Sequence, residues 1–93
     1  MRLHESELRA IIQSIRSADP DAAVYLFGSR VDDSAKGGDI DLLVLSKKIN
    51  LMTKLTILAQ LHQQLGPQKI DLAVYEDLSK PFARLAVTGG MPL

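Results

Sequence analysis

Apolar residues recur at three- and four-residue spacing in two stretches of the chain, and this spacing predicts amphipathic helices. The first stretch is residues 5–17, whose apolar stripe consists of four residues: Leu8, Ile11, Ile12 and Ile15. The second begins after Asn50, a favourable N-cap residue, and ends at Gly66-Pro67, a typical stop. Its predicted buried face consists of five positions: Leu51, Leu55, Leu58, Leu61 or His62, and Leu65. A last short helix is predicted from a cap at Ser79 to about Leu85, before a short tail.

Three shorter apolar runs predict β-strands: residues 22–27, 39–45 and 69–75. In the second run Asp39 and Asp41 share one face, because residues two apart on a strand point the same way. In the third run Asp71 shares a face with Ala73. The order of elements predicts an α/β fold, with a small mixed sheet, helices packed on one face, and the aspartate-bearing face partly open.

Composition and charge are those of a folded domain. The 93 residues predict one domain, residues 1–93, and 46% hydrophobic with 24% charged residues argues against disorder. Acids and bases balance at 11 each, so we expect no direct nucleic-acid binding. Cys is absent, which excludes disulfides and Cys-ligated zinc. We find neither a signal peptide nor an apolar run of about 20 residues, so we expect no membrane contact and a cytoplasmic location.

The aspartates are the first candidates for chemistry. Asp39 and Asp41 lie roughly 6.5 to 7 Å apart along one face of a strand and can converge on Mg²⁺, which prefers oxygen ligands. Asp71 reaches the same site if its strand lies beside theirs, where it would ligate an ion or take a proton from the attacking group. A lone Asp-x-Asp at the start of a strand is more often solvated. In this chain a Gly-Ser turn precedes the Asp-x-Asp, and the combination favours a metal site.

A strand that ends in Gly28-Ser29 predicts a phosphate-binding turn. Glycine lets the backbone approach a phosphate closely, and successive N–H groups at a turn form an anion site to which the Ser29 hydroxyl adds a donor. Arg30 either neutralises a leaving pyrophosphate or points to solvent. The polar residues 29–36 form either a short helix or an irregular loop.

The sequence resembles the nucleotidyltransferase superfamily of DNA polymerase β at two motifs, Gly28-Ser29-Arg30 and Gly38-Asp39-Ile40-Asp41-Leu42-Leu43. More narrowly, it resembles the minimal nucleotidyltransferases, small bacterial and archaeal proteins paired with HEPN-domain toxins. The resemblance implies two Mg²⁺ ions and transfer of a nucleoside monophosphate from an NTP such as ATP, with loss of pyrophosphate.

The resemblance also implies roles for individual residues. Asp39 and Asp41 correspond to the metal carboxylates of the superfamily and Asp71 to its third carboxylate. Gly28 and Ser29 correspond to its contacts with the nucleotide phosphates. Related antitoxins transfer AMP from ATP to a tyrosine of the toxin, so we expect a HEPN-domain partner here.

This sequence departs from the antitoxin pattern at two places. Many antitoxins carry further Arg after Gly-Ser-Arg, whereas Val31-Asp32-Asp33 follows here, and Gly38 stands where they have Ser. Asp32 and Asp33 would repel a triphosphate that they faced, with Lys36 alone to offset them.

Two other functions stay open from the sequence. One is a non-catalytic module that neutralises a toxin by direct contact, and the other is a transferase for a small molecule such as an aminoglycoside. Because a chain of this length has no room for an acceptor-binding domain, we expect the acceptor to come from another protein or from a second copy of the chain.

Overall fold

The computed structural model describes residues 3–28, 40–66 and 68–93. The elements of these residues, in chain order, are helix α1 (Glu5–Ala18), strands β1 (Ala23–Phe27) and β2 (Ile40–Leu45), helix α2 (Leu51–Leu65), strand β3 (Ile70–Tyr75), helix α3 (Pro81–Gly89) and strand β4 (Met91–Pro92). The strands described form a four-stranded sheet in the order β3-β2-β1-β4. β2 is parallel to β3 and antiparallel to β1, and β1 is antiparallel to β4. The predicted α/β class with a mixed sheet is confirmed.

One face of the sheet packs against α1 and α2 and forms the main core. Its fully buried side chains come from helices and strands alike: Ile11, Ile15, Leu26, Ile40, Leu42, Val44 and Leu61. Because strand residues alternate between faces, burial of Ile40, Leu42 and Val44 leaves Asp41 on the opposite face.

Helix α3 lies on that opposite face. Its buried Ala83 and Ala86 pack on Leu43 of β2, with the half-buried Tyr25 at the side. Small alanine side chains let a helix approach a sheet closely. The aspartate-bearing face is therefore partly open, and α3 covers the remainder.

The N-cap and the end of α2 agree with the prediction, but its predicted buried face is partly wrong. The Asn50 side chain accepts a hydrogen bond from the Thr53 N–H at 2.9 Å, and Gly66 follows the last turn. Leu51 and Leu55 were expected to be buried, yet they are 67% and 49% exposed. Ile57 is buried in their place, because apolar residues occupy more than one side of α2 and the tertiary contacts select among them.

The C-terminal elements also differ from the prediction. Helix α3 begins at Pro81 and extends to Gly89, past the expected end at Leu85. Proline is favoured at the first helical position, because its missing N–H has no helical partner there and its φ is already helical. The expected cap, Ser79, instead donates its N–H to the Asp77 carboxylate at 2.9 Å. Residues 91–92, expected to be a tail, form β4 beside β1.

Within the three described segments, no helix combines the length and the apolar character needed to cross a membrane.

Candidate active site

Two of the predicted carboxylates lie side by side on neighbouring strands. β3 does lie beside β2, and the register of the parallel pair places Asp41 directly opposite Asp71. Residues paired in register point to the same face, and the strands are separated by roughly 4.8 Å. Asp41 is half-buried and Asp71 is exposed. The two carboxylates can therefore converge on one group above the open part of the sheet.

Gly28 lies against this pair from the other side. It follows β1, whose last residue, Phe27, is paired with Asp41. Its φ is +78°, a backbone conformation that L side chains rarely adopt. A Cβ at this position would lie 3.2 Å from Asp41 Cγ and closer still to Oδ2. Only a glycine leaves room for the carboxylate, so the turn after β1 and Asp41 form one continuous surface.

Five of the predicted positions lie outside the described residues, so their roles stay predictions: Ser29, Arg30, Asp32, Asp33 and Asp39. Among the residues that are described, no group of three or more acidic or histidine side chains is placed to hold a metal ion. The pair of Asp41 and Asp71 is the part of the predicted metal site whose geometry is defined.

Hydrogen bonds hold the start of β3 in register. The Ile40 N–H donates to the Lys69 carbonyl oxygen at 3.0 Å, just before the Asp41–Asp71 pair. The Gln68 side-chain amide donates to the buried Glu7 carboxylate at 2.8 Å and to the Leu65 carbonyl at 3.2 Å. Gln68 thus ties the strand that carries Asp71 to both α1 and α2.

Aromatic residues lie on the same face of the sheet as the carboxylates, and the sequence interpretation did not include them in the site. Phe82 of α3 makes an edge-to-face contact with Phe27, with ring centroids 5.7 Å apart, and a tilted contact with Tyr75 at 6.2 Å. A cavity of about 230 Å³ is lined by Phe27, Asp71 and Ala73 of this face and, on the α2 side of the sheet, by Leu42, Lys54, Leu58, Ile70 and Leu72. The available signal was Pro81, which marks a helix start and so places Phe82 in its first turn.

Two other carboxylates have lowered pKa values but lie away from this pair. The Ser46 hydroxyl donates to Asp19 at 2.6 Å and the Asp21 N–H donates at 3.0 Å, and both hold the pKa of Asp19 below its usual range. Hydrogen bonds from Ser79 likewise lower the pKa of Asp77. Asp19 and Ser46 lie near the opposite end of β1 and β2 from Gly28, where they join α1 to the end of β2. Their role is structural.

Comparison with known proteins agrees with the fold. Residues 9–93 match the family described as "Polymerase beta, Nucleotidyltransferase". A search of curated proteins finds no match. The match covers most of the chain, from α1 through β4, and includes Gly28, Asp41 and Asp71. Members of this family generally use an NTP and Mg²⁺ for nucleotidyl transfer. The chain belongs to the polymerase β nucleotidyltransferase family.

Proposed function

We propose that this protein is a Mg²⁺-dependent nucleotidyltransferase that transfers AMP from ATP to a hydroxyl group of a partner protein. The observation that carries this proposal is the in-register pair of Asp41 and Asp71 with the backbone of Gly28 packed against it. Family membership supports the general reaction.

The donor set fits Mg²⁺. Carboxylate oxygens are the ligands that this ion prefers, and it is usually held by one or two carboxylates together with substrate phosphates. Asp41 and Asp71, with Asp39 just before β2, would hold the two ions that the superfamily motif implies. Bound Mg²⁺ would neutralise charge on the phosphates of the nucleotide.

The side chains of the chain itself have separate roles in the proposed reaction. The acceptor oxygen forms a bond to the α-phosphorus, the bond from that phosphorus to the bridging oxygen breaks, and pyrophosphate leaves. Asp71 is exposed, so it is open to an incoming acceptor and takes the hydroxyl proton before releasing it to solvent. Gly28 and Ser29 would bind the β- and γ-phosphates, and Arg30 would neutralise charge on the leaving pyrophosphate.

The proposed acceptor is a tyrosine of a HEPN-domain toxin, which makes this protein the antitoxin. The support is the resemblance of the Gly-Ser-Arg and Gly-Asp-x-Asp motifs to those of the minimal nucleotidyltransferases. A tyrosine hydroxyl of a folded partner can approach Asp71 from the open part of the sheet face.

The test combines the protein with the product of its neighbouring gene, which we expect to be a HEPN-domain toxin, together with ATP and Mg²⁺, and weighs both chains by mass spectrometry. We expect added AMP on the partner. D41N should abolish the transfer, and D71N should lower its rate by about 10² to 10⁴, the usual contribution of a general base. The matched control is D21N, which changes an exposed carboxylate at the opposite end of β1. Transfer that survives D41N unchanged would overturn the proposal.

A non-catalytic binding module is the second candidate, and the exposed apolar start of α2 favours it. Leu51, Met52 and Leu55 are all exposed there, and such a patch suits a protein contact. For this function, neutralisation of the toxin persists in D41N without any change in mass, and it is lost in L51K/L55K. The two functions therefore predict opposite effects of D41N on neutralisation of the toxin, and L51K/L55K tests the binding surface.

A further inference from the structure

Three aromatic side chains on the carboxylate-bearing face form a surface that we call the aromatic platform: Phe27, Tyr75 and Phe82. Phe27 lies opposite Asp41 across β1 and β2, and Tyr75 lies four residues after Asp71 on β3. Phe82 contacts both of their rings, at centroid distances of 5.7 and 6.2 Å. The platform therefore begins in the same row of the sheet as the carboxylate pair.

The platform is more open than the residues beneath it. Leu43 of β2 is buried against Ala83 and Ala86 of α3, whereas Phe82 is 47% exposed in the first turn of that helix. A cavity of about 230 Å³ is lined by Phe27 of the platform together with Asp71 and Ala73, and its other lining residues belong to α2 and to the sheet face that packs against α2. One cavity thus presents an aromatic ring and a carboxylate together, which is an arrangement suited to a ligand with a planar apolar part and a charged part.

We propose that the aromatic platform binds the nucleobase of the NTP substrate, an inference that rests on the proposed nucleotidyl transfer. Gly28 directly follows Phe27, so phosphates bound at Gly28 start at the edge of the platform. Ala73 and Tyr75 lie roughly 7 and 13 Å beyond Asp71 along β3, within the span of an extended nucleoside monophosphate. A nucleotide with its α-phosphate at the carboxylates therefore extends its base over Phe82.

Stacking accounts for affinity without strong base selection. Every nucleobase has a π-face, and stacking on an aromatic side chain contributes to affinity whichever base it is. Consequently, ATP and GTP bind with affinities within about tenfold of each other.

The chain contains no Trp, so F82W places the sole indole of the protein on the platform. ATP with Mg²⁺ quenches its fluorescence, whereas inorganic tripolyphosphate with Mg²⁺, which has the phosphates without the base, does not. In calorimetry, F82L lowers ATP affinity by about tenfold or more and leaves tripolyphosphate affinity unchanged. The control is L85A on the same helix, where Leu85 is 72% exposed, and it changes neither affinity.

Each outcome supports or overturns the inference. If F82L binds ATP as tightly as the wild type and ATP leaves F82W fluorescence unchanged, the platform inference is wrong while nucleotidyl transfer stands. If F82L keeps its ATP affinity but raises the KM for the acceptor protein, the platform holds the acceptor and the nucleobase inference is overturned. If the wild type binds neither ATP nor tripolyphosphate, the proposed function itself is wrong. Circular dichroism of each variant verifies that it is folded.

Discussion

Gly28 and Gly66 both have a positive φ angle, but their surroundings are very different. Their φ angles are +78° and +81°. An added Cβ at Gly28 meets the Asp41 carboxylate, whereas at Gly66 it meets nothing within 4 Å. A comparison of the two positions therefore separates the cost of the backbone conformation from the crowding of the candidate site.

We expect G66A to destabilise the protein by about 1 to 3 kcal/mol, the cost of a side chain in a sparsely populated backbone region with positive φ, and to leave nucleotidyl transfer intact. G28A also places a side chain at positive φ and in addition displaces the Asp41 carboxylate, so it unfolds at lower urea and loses transfer. Urea unfolding and the AMP-transfer assay measure the two effects. Equal stability and full transfer in both variants would show that the site tolerates a side chain at position 28.

Asp19 makes the stability of the folded protein depend on pH in the acidic range. The Ser46 hydroxyl, and then the Asp21 N–H, hold the pKa of Asp19 below its usual value of about 3.9. As the pH falls, the unfolded chain binds a proton first, so the folded state loses stability. The stabilisation is complete above about pH 4 and disappears as the pH falls through the lower folded pKa.

We therefore expect S46A to lower the Tm at neutral pH and to flatten the decline of the Tm at acidic pH. Thermal melts from about pH 7 to about pH 3 measure both changes. S17A is the matched control, because the Ser17 hydroxyl donates only to the Gln13 carbonyl on the exposed surface of α1. An S46A profile parallel to that of the wild type would contradict the proposed source of the acid dependence.

Among the elements, α2 shows what a local sequence pattern can predict. Its start and end agree with the prediction, since Asn50 and Gly66 act through hydrogen bonds and φ angles within a few residues. The side of the helix that is buried does not follow from the same pattern. Apolar residues lie on several sides of α2, and its contacts with α1 and β3, distant in sequence, determine which of them is covered.

N50A should cost about 1 kcal/mol of stability, because it removes the acceptor for the Thr53 N–H at the start of α2. N50S should restore most of that loss, since serine is an equally good N-cap residue. Urea unfolding of the three proteins gives the comparison. Equal stability of N50A and N50S would mean that the cap does not stabilise α2.

The smallest element was missed for a similar reason. β4 has two residues, Met91 and Pro92, which is too short for an alternation of apolar and polar residues to predict it. It exists because the chain after α3 returns to the free edge of β1, where the Leu93 N–H donates to the Val24 carbonyl at 2.9 Å. A strand this short is specified by its partner and not by its own sequence.

At the scale of the molecule, the strand alternation predicted which aspartates share a face, and the register of β2 and β3 brings Asp41 and Asp71 together. The aromatic platform could not be predicted in this way. Phe27, Tyr75 and Phe82 come from three different elements, and only the packing of α3 on the sheet joins them. The two-residue alternation of side chains along a strand predicts which of its residues share a face. Which residues of a helix contact a sheet face depends on the assembled fold.

Two carboxylates directly opposite each other repel, and a divalent cation offsets that repulsion. We expect Mg²⁺ to raise the Tm of the wild type and to leave the Tm of D71N unchanged. In EDTA, D71N should be at least as stable as the wild type, by up to about 1 kcal/mol, because one of the like charges is removed. D21N, with its exposed carboxylate far from the pair, should respond to Mg²⁺ as the wild type does. A wild-type Tm that does not change on addition of Mg²⁺ would contradict a metal site at Asp41 and Asp71.

The parallel pairing of β2 with β3 requires the chain to cross over through α2 before the second strand can join the first. A cut of the chain just after α2 therefore separates Asp41 from Asp71. Two separately expressed fragments divided there would each carry one carboxylate. Any catalysis regained on mixing them would report reassembly of the sheet, so the enzyme could serve as its own split reporter.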